Sequence, residues 1–157
     1  MSVLPSDPHW RQSHTGHWLR LALKKFDARV LQLMARHVRV SLALSNLAAR
    51  GRLTASHVHI TRHLAPQGMR LGELAACAGV SKQAMGKLVD QCAAWGLVMR
   101  EQDLHDARAC QVRFTEAGLA WLGAYAQALG QAEEELRQAV GQEVATVIRL
   151  GLEAYAA

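Results

Sequence analysis

Between Leu71 and Arg100 the apolar residues run in two successive helical phases around one glycine. Leu71, Leu74, Ala75 and Ala78 share a first face, Gly79 supplies the freedom a tight turn requires, and Met85, Leu88, Val89 and Cys92 share a second face. Ser81 is placed to cap the second helix. Left outside are Ser81 itself, Lys82, Gln83, Gly86, Lys87 and Gln91, a short polar face whose glycine lets the backbone approach closely. Such a face suits the major groove of DNA. The pattern therefore predicts a helix-turn-helix whose second helix reads DNA, with Gly96 ending that helix and Leu97–Arg100 opening a strand.

Residues 101–109 are polar and charged, and Val112–Phe114 is again strand-like, so a hairpin with a long loop is expected. A hairpin directly after a reading helix is a wing. Arg108 at its tip is placed to enter a minor groove, and Asp103 or Asp106 is expected to pair with Arg108 or Arg100. Arg100, Asp106 and Arg108 thus join the DNA-binding set, and Arg70, beside a very short strand at Met69–Leu71, is a further candidate phosphate contact. Thr115 caps a following helix.

The flanks are helical. Trp18, Leu19, Leu23, Phe26, Val30, Leu33, Met34 and His37 follow the 3.6-residue period from Thr15, with a break near Val38–Val40 and a second helix from about Ser41 to Gly51. Thr54 caps a helix with Val58, Ile60, His63 and Leu64 inward. Ala65–Gly68 is a turn, and the first helix of the DNA-reading pair starts near Gly72. After the wing, Leu119, Leu122, Tyr125, Ala126, Leu129, Leu136 and Val140 give a long helix an apolar face, while Glu133, Glu134 and Glu135 face water. Gly141 breaks it, and a last helix over 142–155 carries Val144, Val147, Ile148, Leu150 and Leu152. Apolar residues this dense at a chain end need cover, which a second subunit supplies. Met1–Ser13, with Pro5 and Pro8, reads as a poorly ordered arm.

At 157 residues the chain is one domain, and its formal charge of +5 fits a polyanionic partner. That charge is uneven: residues 1–63 carry ten Lys or Arg against two acids, residues 64–130 six against six, and residues 131–157 two against five. The DNA-reading unit is itself neutral, so the N-terminal arginines lie near phosphate in a dimer or line a site for a small anion. Three cysteines, Cys77, Cys92 and Cys110, at no ligand spacing indicate a reduced, cytoplasmic protein, with Cys77 and Cys92 expected to be packed. No signal peptide and no membrane span is expected. His59 and His63, or His14 and His17, could share a helix face, but two ligands are too few for a closed metal site. Neither a nucleophile elbow nor a phosphate loop nor an HExxH pair is present, so an enzyme is not expected.

Residues 81–118 closely resemble the MarR family of winged helix-turn-helix transcription regulators. The resemblance rests on Ser81-Lys82-Gln83, Leu88-Val89-Asp90, Gly96-Leu97-Val98 with Arg100, the wing residues Asp103, Asp106 and Arg108, and Phe114-Thr115 with Gly118. Leu104, Ala107 and Phe114 depart from the family's usual proline, basic residue and leucine. The resemblance implies a homodimer on double-stranded DNA and a small aromatic or phenolic acid effector held between the dimer helices and the DNA-reading unit. Residues suited to such an anion are Arg11, His14, His17, Trp18, His57 and His63, with Arg36 or Arg39 as carboxylate partners.

The expected fold is thus mainly α with a small β-wing: an arm (1–14), N-terminal dimerisation helices (15–52), a winged helix-turn-helix (53–115) and C-terminal dimerisation helices (116–157). The expected function is a ligand-responsive dimeric repressor on a pseudo-palindromic operator, with no cofactor. Two other readings stand beside it, a helix-turn-helix module for protein assembly without a DNA target, and a cysteine redox-sensing regulator.

Overall fold

The computed structural model describes residues 7–41, 44, 46, 52, 55–102 and 110–157. In chain order the elements are α1 (Trp10–Ser13), α2 (Thr15–Ala35), α3 (Ala55–His63), β1 (Met69–Arg70), α4 (Leu71–Cys77), α5 (Lys82–Ala94), β2 (Val98–Gln102), β3 (Cys110–Phe114), α6 (Glu116–Val140) and α7 (Gln142–Ala156). Within the segment read as an arm, Trp10–Ser13 makes a helical turn, with the Asp7 carboxylate accepting from the His9 N–H at 2.8 Å. The expected break after α2 is present, and Leu44 and Asn46 are helical; the rest of the helix expected over 41–51 and the Thr54 cap lie outside the described residues.

α2 packs along α6 and forms the helical base of the molecule. The buried side of α6 is Trp121, Ala124, Tyr125, Ala128 and Ala132. That differs from the expected stripe. Leu119, Ala126, Leu136 and Val140 are exposed and Leu122 and Leu129 half-buried, because small alanines, rather than leucines, allow α2 to come close. In α2 only the second half joins the core, through Val30 and Met34 with Phe26 and Leu33 half-buried; Trp18, at 60 % exposure, and Leu19 and Leu23 stand clear of it. α7 has no buried residue at all, although it carries Val144, Val147, Ile148, Leu150 and Leu152.

Polar ties fix the base. The Arg29 guanidinium donates to both oxygens of Glu135 at 2.7 Å, so Glu135 grips α2 instead of facing water. Arg62 on α3 donates to the Tyr125 hydroxyl at 3.1 Å and meets Asp27 at 3.2 Å, while the buried Trp121 indole donates to Thr61 at 3.1 Å. Arg29 holds the Glu135 carboxyl below the ordinary carboxylate range. A lowered folded value gives stability that is present at neutral pH and lost as pH falls through that value. Glu135→Gln is therefore expected to lower the melting temperature at pH 7 and to match the parent once both are in strong acid; parallel melting curves across that pH range would contradict it.

The sheet is antiparallel in the order β1-β3-β2, with Val98 opposite Phe114, Arg100 opposite Val112 and Gln102 opposite Cys110. Both hairpin strands run further than expected: Glu101, Gln102, Cys110 and Gln111 are paired, helped by the diagonal contact of Arg113 with Glu101 at 3.3 Å. Gly68 turns the chain into β1 at φ +89°, where its own N–H donates to the Ala65 carbonyl at 2.9 Å.

Candidate nucleic-acid interface

α4 starts at Leu71, one residue before the expected Gly72, and its Leu71, Leu74 and Ala75 are buried. The turn passes through Gly79 at φ +65°, in the left-handed region that glycine enters freely. Ser81 then caps α5, its hydroxyl accepting from the Ala84 N–H at 3.1 Å. Met85, Val89 and Cys92 of α5 are buried, whereas Leu88, expected with them, is only half-buried because it lies at the edge of that stripe. Gly96 takes φ +72° and ends the helix.

Lys82, Gln83 and Lys87 are exposed on the outer side of α5, and Ser81 is exposed at its head. Arg70 is exposed at the β1–α4 junction, where its backbone N–H donates to the Glu73 carboxylate at 3.1 Å. The other expected contacts are placed differently. Arg100 turns back onto α5: its Nη2 donates to the Gly86 carbonyl at 2.9 Å and lies 2.7 Å from the Asp90 carboxylate. Arg100 thus pairs with Asp90 on the reading helix, while the expected pairing of Asp103 or Asp106 with Arg108 or Arg100 falls outside the described residues. Gly86 is half-buried beneath this guanidinium, and a Cβ there would lie 3.8 Å from Arg100 Nη2, an ordinary contact. Gln91, though exposed, is tied to α3, its Oε1 lying 2.7 Å from His57 Nε2. Asp103, Asp106 and Arg108 lie outside the described residues.

The expected effector residues do not form one cluster in a single chain. Arg11 lies over the Trp10 ring at 5.5 Å, the His14 ring accepts from the His17 N–H at 3.2 Å, and the His17 and Trp18 rings meet edge-on at 5.3 Å, so these gather around the start of α2. Arg36 and Arg39 are exposed beyond its far end, about 27 Å from Trp18 at a helical rise of ~1.5 Å per residue. His57 is buried on α3 between Gln91 and the Trp95 ring, 4.7 Å away, which makes it part of the packing under the reading helix. His63 is half-buried on the same helix.

The pairings of Arg62 with Tyr125 and Asp27, and of Arg100 with Asp90, carry no local signal beyond charge or hydroxyl; only tertiary proximity reveals them. Among the cysteines, burial pushes the Cys92 thiol up to about 12, and Cys110 is half-buried. Cys77 is exposed, against expectation, because it falls off the Leu71–Leu74–Ala75 stripe. Among the described residues no three His, Cys, Asp or Glu side chains gather to hold a metal, and no helix is long and apolar enough to cross a membrane.

Residues 53–109 match the family model described as MarR family. No curated protein matches the chain. Among solved structures, the transcriptional repressor CouR bound to a 23-mer DNA duplex is similar with TM-score 0.70 and 19 % identity, over 99 % of this chain and 100 % of that one. A mutant of MarR from E. coli complexed with operator DNA is similar with TM-score 0.67 and 22 % identity, over 95 % and 99 % of the two chains. BpsR of Bordetella bronchiseptica, whose DNA binding is regulated by 6-hydroxynicotinic acid, is similar with TM-score 0.65 and 17 % identity, over 98 % and 99 %. At these identities the likeness is one of fold.

Proposed function

We propose that this chain, whose residues 53–109 match the MarR family model, acts as a dimeric transcription regulator that docks two copies of α5 in successive major grooves of a pseudo-palindromic operator. The observation that carries this is the outer face of α5, where Lys82, Gln83 and Lys87 stand exposed on a helix capped by Ser81 and buttressed by a β-hairpin. A two-fold axis would set the paired helices roughly 34–36 Å apart, one turn of B-DNA. The cover for α7 and the outer leucines of α6 is a second copy of the chain, with the first half of α2 from each protomer contributing to it.

An effector would act by preferring a dimer geometry with the wrong helix spacing. A preference of ~3 kcal/mol shifts the balance by about two orders of magnitude. The basic and aromatic group at the start of α2, Arg11, His14, His17 and Trp18, suits an aromatic carboxylate, the class to which the BpsR ligand belongs.

The test is enrichment of duplexes from a random DNA library, read with the solution mass. An inverted repeat enriched by a dimer supports the reading; a folded dimer that enriches nothing would move the protein-assembly alternative ahead, which the neutral charge of residues 64–130 favours. On the enriched duplex, Lys87→Ala is expected to weaken binding by roughly five- to tenfold and to reduce the salt slope by about one, with the dimer intact. An unchanged slope would remove Lys87 from the phosphate contacts.

A further inference from the structure

β2 leaves the core after Val98, and every later residue of the strand is exposed. Side chains alternate along a strand, so Arg100 is the next residue on the Val98 side, the side toward α5. Its Nη2 reaches the Gly86 carbonyl at 2.9 Å and the Asp90 carboxylate at 2.7 Å. Gly86 and Asp90 are one helical turn apart and lie on the same face, so a single guanidinium meets both. Its Nη1 lies 4.0 Å from Cys110 Sγ, on the neighbouring strand. One side chain thus joins the middle of α5 to both strands of the hairpin at the point where core packing ends.

We propose that Arg100 is a positioning residue for DNA binding: it fixes the angle between the reading helix and the wing through Gly86 and Asp90, and does not itself grip a phosphate. The proposal rests on the DNA-binding reading above. It also accounts for Asp90, a carboxylate 67 % exposed on the helix that meets DNA, whose charge would repel phosphate if unpaired. Lysine cannot replace arginine in this role. A single ammonium on a flexible stem does not reproduce the planar fork that reaches a carbonyl and a carboxylate together.

The test compares Arg100→Lys, Arg100→Gln and Asp90→Asn on a fluorescein-labelled duplex carrying the inverted repeat that the parent enriches. Melting temperatures and dimer mass are measured alongside. The expected result is that Arg100→Lys loses roughly five- to tenfold in affinity, close to Arg100→Gln, and that Asp90→Asn also loses affinity although it removes a negative charge from the DNA side. The double variant Arg100→Gln with Asp90→Asn should be no weaker than Arg100→Gln alone. Retention of parental affinity by Arg100→Lys, with a gain in Asp90→Asn, would mean a direct phosphate contact and overturn the proposal. So would lowered melting temperatures with unchanged affinity of the folded protein, which mark a purely structural residue.

If the parent enriches no duplex, the DNA reading fails separately. Amide hydrogen exchange without DNA then judges the strut: faster exchange of the β2–β3 ladder in both Arg100→Lys and Asp90→Asn supports it, and parental exchange in both overturns it.

Discussion

Gly118→Ala is expected to destabilise the protein by about 3 kcal/mol, a fall in melting temperature of roughly 10 °C for a chain of this size. A Cβ at position 118 would lie 1.9 Å from the Leu97 carbonyl oxygen and 3.0 Å from its carbon. Neither side can yield cheaply. The Leu97 carbonyl accepts the Thr115 N–H at 3.1 Å, the Thr115 hydroxyl is shared between the Gly96 and Leu97 carbonyls, and the same hydroxyl accepts from the Gly118 N–H at 3.0 Å. The start of α6 is therefore pinned against the end of the DNA-reading helix, and an added methyl must break that knot. Thermal unfolding followed by circular dichroism measures the effect. A variant melting within a degree or two of the parent would show that backbone relaxation absorbs the methyl, and the close approach would lose its structural meaning.

Val89→Asp is expected to be larger still. Val89 is completely buried on α5, and an aspartate there must either bury an unpaired charge or unfold its surroundings, at a cost of about 4 kcal/mol or more. Stabilities of single domains are of the order of 5–15 kcal/mol, so most of the folded margin disappears. Leu88→Asp, one residue away, is expected to be distinctly milder because a half-buried carboxylate can turn toward water. Denaturant midpoints of the two variants read the helix phase directly. If Leu88→Asp were the more damaging, α5 would be rotated from the orientation that exposes Lys82, Gln83 and Lys87.

What the sequence made legible was local. The Gly79 turn, the Ser81 and Thr115 caps and the buried run Met85, Val89, Cys92 each depend on residues within a few positions of one another, so periodicity and capping chemistry suffice. The pairings were not legible. Arg100 reads in the sequence as a DNA contact or the partner of a wing aspartate, and it is bound to Asp90; Glu135 looks solvated and holds Arg29, 106 residues away. Charge type says that a partner is wanted and nothing about which one answers. Periodicity was equally blind to ownership: it marked Leu119, Leu136 and Val140 as apolar, and only packing reveals that alanines face α2 while these leucines and the valine look outward. The same limit applies to Trp18 and Leu23 on α2. In the effector set it joined residues at both ends of α2 that one chain keeps apart.

The partnership of α2 with α6 also fixes an order of events during synthesis. The Arg29–Glu135 bond joins the first fifth of the chain to its last fifth, with the DNA-reading unit between them. Contacts of such sequence separation form late, after the intervening loop has been closed. On the ribosome, α2 has no α6 to lie against until the DNA-reading unit between them has been made, whereas α4, α5 and the hairpin find one another within about 45 residues. The newborn chain can therefore complete the packing of α4, α5 and the hairpin before α2 gains its partner helix.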